Sequence, residues 1–317
     1  MKSHFGALAI LAAGVAAAAE PNTRTFELTY EARWTGLPPS KVARVWFPVP
    51  PANTDQDVTV IREELPGTPI TNADSPYRNK IRYFEAPVKA DGTFALRVDY
   101  KVTRRERRTP LVPTSEDPAR VERLLKADQL VPIGGKSMQL LRGREVPKEP
   151  MAAARVFYDA VLAHMKYSKE GTGWGRGDVD WACDSRFGNC SDFHSLFISM
   201  ARAHKMPAVF AIGFPLPERR GAGAIGGYHC WALVRVAGTG WVPVDISEAS
   251  KHPAKRDYYF GGLSADRVVL SVGRDIELVP KAASAPLNFF VHPHLEIEGK
   301  SVDADRVQFR YAYRDLE

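Results

Sequence analysis

The sequence predicts an α+β protein in which an antiparallel β-sandwich precedes a unit built from one helix on an antiparallel sheet. Three observations carry that reading. Runs that alternate apolar and polar residues recur up to residue 105, which is the period of a half-buried strand. Apolar residues fall at helical spacing over 191–204. Two further alternating runs, 228–236 and 241–246, are joined by the turn Ala237-Gly238-Thr239-Gly240 and read as a hairpin.

In chain order, Lys2, the apolar run Phe5 to Val15 and the small-residue stretch Ala16 to Ala19 predict a secretory signal peptide over 1–19. The chain is therefore expected to be exported to the periplasm. That apolar run is shorter than the roughly 20 residues a membrane-spanning helix needs, and no later stretch approaches the length. No integral membrane segment is expected once the signal is removed. Residues 20–108 are assigned to the sandwich, on the alternation Phe26, Leu28, Tyr30, Ala32, Trp34 and the run Phe94, Leu96, Val98, Tyr100, Val102 after the turn signal Asp91-Gly92. Shorter strands are expected at Val42 to Val49, Val58 to Ile61 and Ile81 to Phe84. Residues 109–147 form a connecting helical region with a candidate helix near 118–127, and a second candidate near 150–165 follows beyond the Pro132 to Gly135 loop. The helix-on-sheet unit covers 148–254. The tail 255–317, with strand-like stretches at Val268 to Ser271 and Val307 to Tyr313, is read as an extension of that unit.

The formal net charge of +6 is spread along the chain and indicates no nucleic-acid partner. Its densest basic stretch, Lys101 with Arg104, Arg105, Arg107 and Arg108, reads as a solvated face or as a contact for an anionic cell-wall polymer. Three cysteines in an exported chain leave at least one unpaired. Cys190 is the one placed for chemistry. It opens the helix over 191–204, and the positive end of a helix favours the thiolate that an acyl-transferring cysteine must become. Alternation puts His229, Trp231 and Leu233 on one face of their strand and Cys230 on the other. Asp245 shares the His229 face across the hairpin, where a carboxylate holds the imidazole tautomer through Nδ1–H and leaves Nε2 for the thiol. Cys183 and Cys230 then either pair as a disulfide or remain buried thiols.

Gly188-Asn189-Cys190-Ser191-Asp192-Phe193, Gly227-Tyr228-His229-Cys230-Trp231 and Gly240-Trp241-Val242-Pro243-Val244-Asp245 together resemble the three successive motifs of the bacterial transglutaminase-like superfamily. The resemblance covers residues 148–250. It implies a papain-like fold, the roles of nucleophile, base and orienting acid for Cys190, His229 and Asp245, and no cofactor. It also implies a thioester intermediate formed from a peptide or protein substrate, a cell-wall peptide among the options, and resolved by water or by an amine. Hydrolysis of peptide or isopeptide amide bonds is the first expectation. Protein-glutamine-type transamidation and a non-catalytic envelope-binding scaffold are the alternatives. The backbone N–H of Cys190 is the natural first oxyanion donor. Some members of the family add an upstream tryptophan indole, for which Trp174 and Trp181 are the candidates here, though either also suits packing.

Gly221-Ala222-Gly223-Ala224-Ile225-Gly226 fits a dinucleotide fingerprint but lies before a strand where that fingerprint needs a helix. Residues 218–227 are read instead as a mobile loop, with Gly226, Gly227 and Tyr228 beside the substrate. His194, His204, His252, His292 and His294 show no metal-ligand spacing, so no metal site is expected. Asp192, in the first helical turn, is read as a dipole-compensating carboxylate.

Overall fold

The computed structural model describes residues 22–74, 77–108, 110–113 and 115–316, so the expected signal peptide lies outside the described residues. The N-terminal strands are β1 (Thr23–Trp34), β2 (Val42–Val49), β3 (Gln56–Glu64), β4 (Ile70–Ala73), β5 (Lys80–Pro87) and β6 (Phe94–Arg105). They are followed by α1 (Pro118–Arg123), α2 (Pro150–His164), β7 (Lys166–Tyr167), α3 (Val179–Ser185), β8 (Phe187–Gly188) and α4 (Cys190–Ala203). Then come β9 (Ala208–Pro215), β10 (Ala222–Ala224), β11 (His229–Val236), β12 (Gly240–Val244) and α5 (Ile246–Lys251). The remaining strands are β13 (Arg267–Val272), β14 (His294–Ile297), β15 (Lys300–Ser301) and β16 (Val307–Asp315).

Alternation makes the sandwich. Phe26, Leu28, Tyr30, Ala32 and Trp34 all face inward from β1 and are buried, as are Phe94, Leu96, Val98, Tyr100 and Val102 of the antiparallel neighbour β6. Facing side chains of the second sheet, among them Val45, Phe47 and Phe84, complete one apolar layer. Each such large side chain contributes about 1.5–3 kcal/mol on burial. The two sheets run β10-β16-β1-β6-β3 and β15-β14-β2-β5-β4.

That order corrects the assignment of 255–317 as a single extension of the helix-on-sheet unit. Only β13 joins that unit, whereas β16 pairs with β1 (Tyr30 opposite Tyr311) and β14 pairs with β2. The physical reason is the bare edge: β1 buries an apolar residue at every second position and needs a neighbour on both sides, and the alternating face of β16 that buries Tyr311 and Tyr313 supplies it.

In the second unit, the sheet β12-β11-β9-β13 has two apolar faces. Phe210, Ile212, Cys230, Ala232, Val234 and Val244 pack with α4, while Ala211, Trp231, Leu233 and Trp241 look the other way. The helix is buried from Cys190 to Arg202, between that sheet and α2, α3 and α5. Its carboxyl end carries the buried Arg202, paired with Asp128 at 2.6 Å, where a cation suits the helix dipole.

Two local departures matter for the site. The strand expected to run to Ile246 stops at Val244, because the Asp245 side chain accepts the Glu248 N–H (3.2 Å) and starts α5. Ala222–Ala224, read as part of a mobile loop, is an edge strand on β16, and the Ile225 N–H extends the attachment to Tyr311 O (2.8 Å).

Candidate active site

Cys190 is placed by a helix start that is satisfied on every side. The Asn189 side chain accepts the Ser191 N–H (2.8 Å), and Asp192 reaches back to accept the Asn189 N–H (2.9 Å), a reciprocal capping box. Asp192 also accepts the N–H groups of Gly175 (2.7 Å) and Gly177 (2.9 Å), so one buried carboxylate ties the 171–178 loop to the helix. Gly188 is required by this closeness, since a β-carbon there would meet the Asp192 carboxylate. Cys190 itself is the first helical residue, so its N–H is one of those a helix leaves without an internal partner.

Opposite the thiol, His229 opens β11, and its Nε2 lies 2.8 Å from Asp245 Oδ2. Its other contact is the thiol of Cys190. The nitrogens are therefore reversed from the sequence expectation: Nε2 serves the carboxylate and Nδ1 is the nitrogen left for sulfur. Asp245 is diagonal to His229 rather than directly across the hairpin, because Ala232 pairs with Val244. Its Oδ2 also accepts Arg267 Nη1 (2.8 Å), and its Oδ1 accepts Ser247 Oγ–H (3.3 Å) besides the α5 cap. Burial alone would raise the Asp245 carboxyl, but His229 and Arg267 hold it well below the usual carboxylate range. Burial also pulls the imidazole of His229 down, yet Asp245 and then Cys190 carry it from 6.5 to about 9. For Cys190 burial pushes upward, and Cys230 and His229 outweigh it, leaving the thiol well below the ordinary cysteine range. The combination favours a thiolate facing an imidazolium.

Residues 139–246, which hold all three side chains, match the sequence profile of the transglutaminase-like superfamily. The chain carries a transglutaminase-like domain. It is also 29% identical, over 197 residues, to an uncharacterized protein of Haemophilus influenzae, a match that takes in 52% of this chain and 53% of that protein. The chain thus spans about half the length of the curated relative it matches. In fold it is similar to the crystal structure of a candidate cysteine protease from Cytophaga hutchinsonii, with a TM-score of 0.53 and 15% identity over 93% of this chain and 98% of that one.

Within the transglutaminase-like domain the three cysteines stay free, so the pairing of Cys183 with Cys230 does not form. Cys230 instead sits behind the nucleophile candidate, 3.8 Å from both Ser191 Oγ and His194 Nδ1. Burial and then Cys190 push its thiol well above the ordinary range, and burial lifts Cys183 to about 12. His194 has a defined tautomer. Its Nδ1 faces the Cys190 carbonyl (2.7 Å) and must donate, while its Nε2 accepts the Ile246 N–H (3.0 Å). This neutral imidazole pins α4 to the start of α5, next to Asp245.

The two upstream indoles have partners of their own: Trp174 donates to Gly171 O (3.1 Å), and Trp181 packs edge-on against Phe187 (5.3 Å) beside Gly173. Tyr228 is tied to the cap of α4. Its hydroxyl accepts from Asn189 Nδ2 (3.1 Å) and donates to Gly175 O (3.4 Å). Gly226 and Gly227 stand in open space. A cavity of about 290 Å³ opens on His229, walled by Leu216, Tyr259, Glu218, Glu248, Lys255 and Arg267. Sequence reasoning missed Arg267, Ser247 and the structural part of His194. The Asn189-to-Asp192 spacing was the readable sign of the cap, whereas nothing local to Arg267 announces its partner.

Proposed function

We propose that this chain is an exported thiol hydrolase that cleaves an amide bond of an envelope peptide through a thioester on Cys190. The observation that carries the reading is the contact of Cys190 with an imidazole whose far nitrogen is held by Asp245. In the proposed cycle the Cys190 thiolate attacks the amide carbon, forming the carbon–sulfur bond, and the oxygen takes the negative charge near the Cys190 N–H. Collapse of that adduct breaks the carbon–nitrogen bond, and His229 Nδ1–H protonates the departing amine. Neutral His229 then takes a proton from water, whose oxygen attacks the thioester, releasing the acid and restoring thiolate and imidazolium. Arg267 and Ser247 keep Asp245 in place for both halves.

Incubation of the purified protein with peptides from a cell-envelope extract, followed by acid quench and peptide mass spectrometry, tests this. An acyl mass on the Cys190 peptide that decays in water supports the reading, as does its loss in Cys190→Ala. Acylation of another residue, or decay only when an amine is supplied, would replace it with a different nucleophile or with transamidation. Export is tested separately: the mature protein recovered from the periplasm should begin at Glu20.

A further inference from the structure

The face of the β12-β11-β9-β13 sheet turned away from α4 borders a cavity of about 520 Å³, lying between the sheet, the end of β6, residues 111–113 and residues 115–124. It shares no lining residue with the cleft at His229, and none of Cys190, His229 and Asp245 reaches it. Its volume falls in the usual range for small-molecule sites, about 300–1,000 Å³. One wall is apolar and aromatic, formed by Trp231, Trp241, Leu233 and Val209.

The polar wall is dense in arginine. Arg78, Arg104, Arg107 and Arg120 line it with Asp55, Glu116 and Asp117. Those carboxylates are already engaged. Asp55 accepts from Arg107 Nε (2.9 Å), and Glu116 accepts from Arg235, outside the cavity (2.6 Å), and from the Trp241 indole (2.7 Å). Asp117 caps α1 through the Ala119 N–H (3.0 Å) and meets Arg78 (3.0 Å). Arg104 and Arg120 are the least closely paired: the charges of Asp74, Asp117 and Glu116 act on Arg120 without a close ion pair. Arg104 is 1% exposed, its nearest carboxylate oxygen, on Asp55, is 3.8 Å away, and Gln56 Oε1 lies at 3.5 Å. Among the described residues, the Nε atoms of Arg104, Arg120 and Arg267 are fully covered and have no hydrogen-bond partner, so a ligand would meet the outer donors of Arg104 and Arg120. A guanidinium drawn out of water gains from a close anion, and two loosely paired ones beside an aromatic wall suit a ligand that supplies it.

We propose that this cavity binds a small molecule carrying a single carboxylate on an apolar body. The carboxylate meets the donors of Arg104 and Arg120, whose planar forks suit its geometry, and the apolar body lies against Trp231 and Trp241. The fixed carboxylates of Asp55 and Asp117 on the same wall disfavour a dianion, which selects a carboxylate over a phosphate. The site adjoins the reaction machinery: the Arg267 guanidinium lies over the Trp231 ring (4.9 Å) and donates to Asp245.

Calorimetric titration of the purified protein with phenylacetate, 3-phenylpropionate and 4-phenylbutyrate, each beside its neutral primary amide and with inorganic phosphate as a further arm, tests this. At least one acid should bind with a Kd of about 1 mM or tighter. Its amide and phosphate should each bind at least about tenfold more weakly. Alkylating Cys190 beforehand should leave the titration unchanged, which separates this site from the thiol cleft and from the proposed hydrolase activity. Arg104→Met should weaken the acid by at least about tenfold, and where that variant fails to fold by circular dichroism, Arg120→Met at its half-exposed position carries the same expectation. No acid binding below about 10 mM, an amide or phosphate as tight as the acid, binding lost on Cys190 alkylation, or wild-type affinity in the folded variant would each overturn the proposal.

Discussion

At the scale of single residues, the three thiols should behave very differently. Cys190 is held below the ordinary range, while Cys183 and Cys230 are lifted above it, so iodoacetamide at pH 6 should label Cys190 alone, as read by peptide mass spectrometry. Turnover should fall as pH rises through about 9, because the His229 imidazolium that protonates the leaving amine is lost there. An alkaline limb near 6.5 would mean that Asp245 does not act on the imidazole. Asp245→Asn should slow pH 6 labelling of Cys190 by roughly tenfold or more, since an amide stabilises the imidazolium less than a carboxylate. Cys190→Ala should lower hydrolysis at least about a thousandfold, whereas Cys230→Ala should cost roughly 1 kcal/mol of stability and slow pH 6 labelling of Cys190 while hydrolysis persists, because His229 still faces the thiol. The candidate residues Cys190, His229 and Asp245 were legible because each sits in its own short motif, and strand alternation put the last two on one face. The choice of ring nitrogen was not legible, since rotation about the His229 side chain exchanges Nδ1 and Nε2 without altering any sequence pattern. Arg267 escaped for another reason: it comes from β13, two strands removed from β11 in the sheet, and its register there includes a bulge between Val269 and Ser271.

At the scale of elements, the start of α4 is where structure and reactivity meet. Asp192 accepts N–H groups from Gly175, Gly177 and Asn189, so the loop, the cap and the thiol share one buried carboxylate. Gly188→Ala places a methyl group against that carboxylate. The variant should lose about 1–3 kcal/mol in urea denaturation, and its Cys190 labelling should slow even where the fold is retained. Unchanged stability would show that the carboxylate moves aside freely. The amphipathic pattern of 191–204 predicted α4 well because helical period and burial agree along it. The end of β12 was harder, because Asp245 belongs both to the alternation of a strand and to the cap of the next helix. Local propensity cannot rank those two uses; the packing of α5 against α4 decides it.

At the scale of the whole molecule, Arg24 ties the sandwich to the helix-on-sheet unit. Its buried guanidinium donates to Asp315 on β16 (2.8 Å), to Asp266 just before β13 (2.6 Å) and to Pro217 O after β9 (2.6 Å). Arg24→Met should lower stability by about 3–5 kcal/mol, read as an earlier urea midpoint, because two carboxylates then lose their shared cation. Alternation announced β1 and β16 as strands but not as partners, since period-two patterns carry no address. Their pairing also orders events in time. β1 is synthesised well before β16, so one flank of β1 stays uncovered until residues 307–315 have been made. The enclosure of Leu28 and Tyr30 is therefore postponed until residues 307–315 are in place, and the sandwich stays unfinished while the helix-on-sheet residues between them are being made.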